Sequence, residues 1–468
     1  MPELPEVETI KNVLTPIVKD RIINKIDVFR KGTIEGDDKQ FVKELTGEKF
    51  LSISRIGKYL IFHLTNDKVI LSHLRMEGKY YEFLENEDNS KYAKVVFHFD
   101  NGHKLCYDDS RCFGILKLSS ESTYLKSEMI SKLGPEPFVV KDVTPILKQV
   151  KNVKKPIKTT LLDQTIITGL GNIYVDETLY ASHIHPLTPA NLITKQEWEN
   201  IIDNASKILK IAIDMGGSTI KSYHPGKDID GNFQTRIKIY GKQGEICPTC
   251  SHTFRFIKVG GRGTTFCPIC QRKRGTPINV GLTGKIASGK SSALKEFASL
   301  GADTSSSDEI VSKLYSSSEV TNKIEKGLQI KFPNNTVDKD ILRNHLLINP
   351  KDKKKLEKIV HPLVEKEIVS FLTNSKADIR VVEVPLLFES KMDHYFENIV
   401  AIDIDEKKQL ERLMARDKQK AIYLQEINKT NKIDENKNKA TYLINNSSDL
   451  SSFKAEIKRI FKDLSDLK

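Results

Sequence analysis

Apolar positions near the start of the chain recur at helical spacing: Leu4, Val7, Ile10, Leu14, Ile17 and Val18 share one face. This predicts an amphipathic helix over residues 4 to 18 that holds Pro2 at the entrance of a folded domain. From about 22 to 118 the pattern shortens to strands: Arg21–Phe29, Lys49–Ser54, Tyr59–Leu64, Val69–Leu74, Ala93–Phe99 and Lys104–Tyr107. Asn66-Asp67 and Asp100-Asn101-Gly102 supply turns. Short strands at such spacing predict a β-sandwich. Leu133-Gly134-Pro135 marks a boundary, and helices are expected from about 142 to 215. The polar stretch Gly216 to Asn232 is too long for a turn, so a functional loop is expected there. A compact Cys-rich module follows at 235–274, and at Ile278 a strand, a Gly-rich turn and a helix open an α/β domain that runs to Lys468. The Lys- and Asn-rich patch 427–439 reads as a solvated helix face or a lid. No long linker or internal repeat interrupts this order.

Composition narrows the classes. A chain of 468 residues suggests two to four domains. No apolar run reaches the roughly 18 residues of a membrane span, and the acidic N-terminus does not read as a signal peptide, so a cytoplasmic location is expected. The net charge of +12 and pI of about 9.1 favour a polyanionic partner such as nucleic acid, although a Lys-rich proteome gives the same balance. Four of the six cysteines form Cys-x-x-Cys pairs, which in a cytosolic chain points to metal rather than disulfides. Cys106 and Cys112 are expected to be small packing residues.

Four stretches carry candidate chemistry. Cys247-Pro-Thr-Cys250 and Cys267-Pro-Ile-Cys270 have the spacing of two knuckles around one tetrahedral zinc. Four thiolates leave no open position, so such a zinc is structural; an iron site is the alternative. Between the pairs lie Arg255, Lys258 and Arg262 with Gly260, Gly261 and Gly263, a rigid tip suited to phosphate or groove contact. Gly169-Leu170-Gly171-Asn172 precedes a helix whose N–H groups, with the Asn172 side chain, suit a phosphate or an ordinary cap. Lys154, Lys155 and Lys158 add positive charge just upstream, where a nucleic-acid backbone would pass.

Pro2 becomes a secondary amine once Met1 is removed. An α-amino group titrates near pH 8, well below lysine at about 10.4, so a nucleophilic fraction exists at neutral pH, with Glu3 beside it as acid or base. The same residues suit a plain helix start, with prolines in the first turn and acids facing the dipole. Further along, Gly284-Lys285-Ile286-Ala287-Ser288-Gly289-Lys290-Ser291 sits between a strand and a helix. That is the phosphate loop Gly-x4-Gly-Lys-Ser in its required context: N–H groups cradle phosphates, Lys290 reaches the β/γ oxygens and Ser291 binds Mg²⁺.

In combination these residues amount to a family resemblance. Pro2-Glu3-Leu4-Pro5-Glu6-Val7-Glu8, Ile56-Gly57-Lys58-Tyr59-Leu60, His73-Leu74-Arg75-Met76-Glu77-Gly78, Asp109-Ser110-Arg111-Cys112-Phe113-Gly114, Gly169 to Glu177 and the terminal zinc finger occur in order. They closely resemble the formamidopyrimidine-DNA glycosylase family, base-excision enzymes for 8-oxoguanine and ring-opened purines, over residues 2 to about 274. The resemblance implies Pro2 as Schiff-base nucleophile at the deoxyribose C1′, with Glu3 handling protons on the sugar. It implies Lys58 as the acid in β-elimination and Arg262 as the corresponding group in δ-elimination. Met76, Arg111 and Phe113 match the wedge that fills the gap left by a flipped base. Lys158 and Asn172 are expected at the DNA backbone, and the 216–232 loop is expected to close over the base. In Lys91-Tyr92-Ala93-Lys94 this chain lacks the family's usual histidine, which leaves that DNA contact in doubt.

Residues 278–468 resemble the dephospho-CoA kinase family through the phosphate loop, Asp308-Glu309-Ile310, His361-Pro362, Glu383 to Glu389, Gln409 to Arg416 and Tyr442 to Asn446. The resemblance implies transfer of phosphate from ATP, with Mg²⁺, to the ribose 3′-hydroxyl of dephospho-CoA. Asp308 would take the hydroxyl proton, and Arg412 and Arg416 would clamp phosphate charge. The family's Asp-x-Asp appears here as Ser306-Ser307-Asp308, and Glu426 and Thr430 stand near the lid's usual arginine and glutamine. A weakened kinase or a domain that only binds nucleotide therefore stays open.

The expected architecture is multidomain, α+β followed by α/β. A catalytic β-sandwich with a leading helix spans 1–130, and a helix-two-turn-helix DNA-binding domain with the lesion loop spans 131–234. A four-cysteine zinc finger covers 235–274, and a P-loop kinase with a parallel sheet covers 278–468. The expected partners are double-stranded damaged DNA, ATP and dephospho-CoA, acting on a monomer. The rival reading is a damaged-DNA binding protein, without lyase chemistry, regulated by nucleotide at a degenerate kinase domain.

Overall fold

The computed structural model describes residues 2–218, 231–416 and 436–467, without the side chain of Arg416. Most of the expected lesion loop, the lid positions Glu426 and Thr430, and the phosphate contact of Arg416 thus lie outside the described residues. The chain forms two compact units: Met1–Ser182 with Pro189–Gly241 and Val259–Thr264, and His183–Thr188 with Lys242–Lys258 and Thr265–Lys468. Among the described residues no helix is long and apolar enough to cross a membrane.

In the first unit α1 (Leu4–Val18) has the ends its periodicity predicts and buries Leu4, Val7, Ile10, Leu14 and Val18. The strands β1 (Ile23–Val28), β2 (Phe50–Ile56), β3 (Tyr59–Leu64), β4 (Lys68–His73), β5 (Lys79–Leu84), β6 (Ala93–Phe99), β7 (His103–Asp108) and β8 (Ile115–Ser120) follow, with α2 (Asp38–Leu45) between β1 and β2. They form two antiparallel four-stranded sheets, ordered β1-β6-β7-β5 and β2-β3-β4-β8. The expected sandwich is present. Its core joins α1 to the inward faces of both sheets, with Phe50 meeting Phe62, Phe97 and Phe99 edge-on at 5.8, 6.2 and 5.9 Å. Such edge contacts add about 0.5–1.5 kcal/mol each beyond area burial.

The residue pattern does not predict three of these elements. β5 reads Lys-Tyr-Tyr-Glu-Phe-Leu, where apolar residues on both faces mask the period of two, and only Tyr80 is buried. β8 buries only Leu116. α2 is eight residues long and is started by Asp37, whose carboxylate accepts from Lys39 N.

The helices α3 (Glu128–Ser131), α4 (Thr144–Val150), α5 (Ile157–Leu161), α6 (Asn172–Ala181) and α7 (Lys195–Asp214) complete this unit. Thr194 caps α7 by accepting from Glu197 N, and α7 buries Trp198, Ile201 and Leu209. α6 is buried from Ile173 through Tyr180. Within it Glu177 accepts the N–H groups of Lys238, Ile239 and Tyr240, each at 2.9 Å, and so fastens the 238–240 segment to α6. Three charge-assisted bonds offset the burial of that carboxylate.

The second unit contains most of the Cys-rich module and a five-stranded, all-parallel sheet. The module's hairpin is β9 (Arg255–Val259) and β10 (Arg262–Phe266). The sheet uses β11 (Ile278–Gly284), β12 (Asp303–Ser306), β13 (Ile379–Glu383), β14 (Asn398–Asp403) and β15 (Tyr442–Asn445), in the order β12-β13-β11-β14-β15. The helices are α8 (Lys290–Ser299), α9 (Ser307–Tyr315), α10 (Ser318–Leu328), α11 (Lys339–Ile348), α12 (Asp352–Asn374), α13 (Glu406–Arg416) and α14 (Leu450–Ser465). Phe297 of α8 and Phe453 and Ile457 of α14 belong to one core, and Ile310, Ile324 and Val364 of α9, α10 and α12 to another. Strands covered on both faces read as continuous apolar runs, as β14 does from Ile399 to Ile402. In such sheets ligands bind at the carboxyl ends of the strands, where Gly284, Ser306 and Glu383 stand.

Glu177→Ala is expected to orphan three buried N–H groups and to destabilise the first unit by about 2–4 kcal/mol. Urea unfolding followed by the fluorescence of Trp198, the single tryptophan, reads this out in that unit. An unchanged midpoint would contradict it.

Candidate active sites

The first site is assembled from four distant stretches. Pro2 is buried at the head of α1. Next to it, the Glu3 carboxylate accepts Gly171 N at 2.7 Å, Ile173 N at 3.0 Å and Tyr174 N at 3.4 Å, which are the free donors at the start of α6. A Cβ at position 171 would lie 2.2 Å from Glu3 Cδ, so this approach requires glycine. The N–H groups in which the sequence suggested a phosphate are thus occupied by a carboxylate of the same chain. A macrodipole favours either anion equally.

Glu6 extends the cluster. It accepts Glu3 N at 2.9 Å, the Tyr174 hydroxyl at 2.7 Å, and both Ser218 N and Oγ at 2.8 and 3.0 Å. The last two contacts anchor the described edge of the expected lesion loop.

Lys58 enters from the turn between β2 and β3. Gly57 takes φ +58, and a Cβ there would lie 2.4 Å from Thr168 Oγ1. The Arg55 guanidinium braces the same turn, with Glu8 and Glu136 each 2.6 Å away and the Gly57 carbonyl at 3.0 Å. Lys58 Nζ is buried and donates to Leu170 O at 2.6 Å. Burial lowers its pKa to about 8; the Glu3 carboxylate opposes that shift and Arg262 adds to it. Burial also raises the Glu3 carboxyl above its ordinary value, against the pull of Lys58. Each group loses its charge more readily than it would in water, and each is the other's main charged neighbour.

Arg262 begins β10. The carbonyl of the next residue, Gly263, accepts Lys158 Nζ at 3.1 Å and Asn172 Nδ2 at 3.1 Å. Lys158 also pairs with Asp176 at 2.6 Å and is fully buried. This corrects its expected position: Lys158 does not face a DNA backbone but ties the finger tip to α5 and α6. Arg255 is likewise buried, against the carbonyls of Asp393, Phe396 and Glu397, and is not a groove contact.

The four module cysteines have sulfur atoms within 4.8 Å of one another, with Sγ–Sγ separations of 3.9 Å for Cys247–Cys270 and 3.4 Å for Cys250–Cys267. A tetrahedral zinc with Zn–S bonds of about 2.3 Å needs sulfurs about 3.8 Å apart. The donor set and spacing fit a closed structural zinc.

The second site lies in the loop after β11. Lys290 Nζ donates to Gly284 O at 3.1 Å and Lys285 O at 3.0 Å. Gln409 Nε2 holds Ile286 O at 2.8 Å, Asn446 Nδ2 holds Ser288 O at 2.7 Å, and Arg412 reaches Asn446 O at 3.2 Å. Gly289 has φ +101, and a Cβ there would lie 2.4 Å from Asn446 Nδ2. The loop carbonyls are thus held by the Lys290, Gln409 and Asn446 side chains, and Ser288 N donates to Lys285 O at 3.2 Å. Asp308, exposed at the start of α9, lines a cavity of about 260 Å³ with His361, Val384, Pro385, Leu386 and Met392.

Each part of the chain is similar to known proteins. Family models match the formamidopyrimidine-DNA glycosylase N-terminal domain at residues 1–116 and its H2TH domain at 133–224. The zinc finger found in FPG and IleRS matches 244–272, and dephospho-CoA kinase matches 278–452. A formamidopyrimidine-DNA glycosylase of Lactobacillus gasseri is 44% identical over 275 residues, which are 58% of this chain and 99% of the relative. That of Mycoplasmopsis pulmonis is 41% identical over 277 residues, again 58% of this chain and 99% of the relative. A solved complex of a Lactococcus lactis FPG mutant with Fapy-dG-containing DNA is 39% identical, has a TM-score of 0.56, and covers 58% of this chain and all of that one.

The chain belongs to the formamidopyrimidine-DNA glycosylase family. It also carries a dephospho-CoA kinase domain, and it is an enzyme in both parts.

In the glycosylase part the expected wedge residues occupy two turns. Asp109 accepts the N–H groups of Arg111, Phe113 and Gly114 at 2.9, 2.9 and 2.7 Å, which forces the tight loop that projects Phe113. Phe113 is 54% exposed, with the Arg111 guanidinium 5.2 Å from its ring centroid. Met76 is half-buried. Tyr92, in the segment without the usual histidine, is exposed under Lys91. In the kinase part sequence reasoning gave Glu383 no role of its own. Ser306 pairs in register with it and hydrogen-bonds it, and Asp308 and Glu309 lie close enough to raise its pKa along with burial. A carboxylate of the neighbouring strand thus stands beside position 306, a proximity that a linear motif does not reveal.

Lys58→Met is expected to stabilise the first unit by about 1–3 kcal/mol at pH 7, since each pKa unit is worth about 1.4 kcal/mol. The charged lysine is disfavoured in the fold, and Leu170 O keeps its bond from Gln164. The difference should shrink as pH rises from about 8 to the ordinary lysine value of 10.5, where the side chain is neutral folded or unfolded. Thermal unfolding followed by Trp198 fluorescence tests it; a lower midpoint for the variant at pH 7 would refute it.

Proposed function

We propose that the chain is a bifunctional fusion: a glycosylase/AP lyase that excises oxidised purines from double-stranded DNA, and an ATP-dependent kinase for dephospho-CoA. In the first reaction the Pro2 amine, freed by removal of Met1, attacks C1′ of the damaged nucleotide. The glycosidic bond breaks, the base departs, and a Schiff base links Pro2 to the sugar. Glu3 handles the sugar protons. Its raised pKa makes it a better proton donor than a surface carboxyl, and three backbone N–H groups fix its position. Lys58 acts as the acid in β-elimination at the 3′ side, and Arg262 serves the δ-elimination that follows. Met76, Arg111 and Phe113 fill the space of the flipped base, and Asn172 contacts the strand. The observation that carries this reading is the meeting of Pro2, Glu3 and Lys58 in one buried cluster, with the exposed Arg262 close enough to act on the Lys58 charge.

In the second reaction the loop Gly284 to Ser291 holds the ATP phosphates, Lys290 turns from loop carbonyls to the β/γ oxygens, and the exposed Ser291 hydroxyl offers a ligand for Mg²⁺. Asp308 takes the proton of the acceptor hydroxyl in the adjoining cavity, and Glu383 supplies the second carboxylate. The reading as a binding protein without lyase chemistry has less support, because a buried lysine whose pKa is lowered to about 8 beside a buried glutamate suits proton transfer better than plain DNA binding.

Borohydride with an 8-oxoguanine duplex should trap a covalent adduct on the native N-terminus and none on Pro2→Gly. Absence of the adduct with the native chain would sink the lyase reading. Because Lys58 must be protonated to act as an acid, β-elimination should slow as pH rises through about 8. A rate that keeps climbing to pH 9 would exclude that role. For the kinase, Asp308→Asn should lower turnover of dephospho-CoA at least 100-fold with ATP binding retained; equal turnover would remove Asp308 as the base.

A further inference from the structure

Arg255 raises a question that neither activity answers. It is 3% exposed and has no carboxylate within ion-pair distance among the described residues, so burial pushes its pKa down to about 10. A buried guanidinium is costly unless its donors are satisfied. Here its Nη atoms donate to three backbone carbonyls, those of Asp393, Phe396 and Glu397, and its plane lies 5.5 Å from the Phe266 ring centroid. All three carbonyls belong to the segment 391–397, between β13 and β14.

That segment also bounds the acceptor cavity. Met392 and the preceding Ser390 line the cavity that contains Asp308, and Phe396 packs on the P-loop strand so closely that a Cβ on Gly281 would lie 2.9 Å from its ring. A further clamp acts at the same place. Lys273, just after the last zinc cysteine, pairs with Glu397 at 3.0 Å, and the other oxygen of Glu397 accepts Asn279 N at 2.8 Å. Arg272 pairs with Asp463 of α14 at 3.0 Å.

We propose that the zinc finger is a positioning element of the kinase: Arg255, assisted by Lys273, fixes the 391–397 segment and so sets the wall of the acceptor cavity. This rests on the kinase reading for the identity of the acceptor, but the positioning itself is independent of turnover. Arg255 touches no substrate and acts through Met392 and Phe396.

Hydrogen exchange on the full zinc-loaded chain tests the positioning directly. In Arg255→Met the amides of Met392 and Phe396 should exchange at least 10-fold faster, while those of β11 keep their protection. Unchanged exchange at the two amides, or equal loss across β11, overturns the proposal. Lys273→Met should give a smaller effect at the same amides, and Arg255→Lys should recover part of the protection. With turnover as the readout, Arg255→Met should raise KM for dephospho-CoA about 10-fold and leave kcat and the KM for ATP within about two-fold. A matching rise in the KM for ATP would overturn it. A wild-type chain with no turnover would remove the kinase reading, and the exchange result would still decide the positioning.

Discussion

The contact on which the first site depends is the Glu3 carboxylate seated on the N-terminus of α6. It joins the residue just before α1 to backbone donors about 170 positions away. The donors are needed whatever the function, because a buried helix start leaves N–H groups that must find acceptors. Meeting that need with the residue beside Pro2 places the N-terminal amine at a fixed spot in the fold. It also keeps the carboxyl in a dry place, where its charge is disfavoured. Lys58, whose Nζ is held by the Leu170 carbonyl of the same loop, suffers the same burial. Glycines at 57, 169 and 171 let these three stretches approach, since a Cβ at any of them would collide with Thr168, Leu4 or Glu3.

Two sets of buried cations constrain the finger. In the first unit the Gly263 carbonyl is tied to Lys158 and Asn172, which keeps Arg262 near Lys58. In the second unit Arg255 and Lys273 are tied to the 391–397 segment. Both ties use long cations whose charged ends are buried. Each therefore resists exchange for a shorter or neutral side chain far more than a surface lysine would. The closed set of four cysteines holds its two knuckles together, so the metal acts on geometry and not on bond making.

Much of this was legible in the residues. The helix over 4–18, the sandwich strands, the P-loop strand and the zinc pairs are dictated by local periodicity and fixed spacing, and they appear where those patterns put them. Illegible were elements whose pattern is blurred. β5 carries aromatic residues on both faces, and β8 buries a single leucine. Arg255 and Lys158 misled for a different reason: a cation in a basic stretch reads as solvated or phosphate-bound, and nothing local reveals three carbonyls or an aspartate waiting inside.

By itself the sequence determined the inventory: a proline that can become a terminal amine, four thiolates at metal spacing, a Gly-x4-Gly-Lys-Ser loop between strand and helix, and the order of the modules. These are short-range facts, set by covalent distance and by side chains within a few positions. The tertiary structure alone decided which groups share a dry space. Glu3 with Lys58, Lys158 with Asp176, Ser306 with Glu383 and Arg255 with the 391–397 carbonyls are pairs separated by 18 to 142 residues. Burial and proximity shift pKa values and assign partners, and both arise only when the chain has closed on itself.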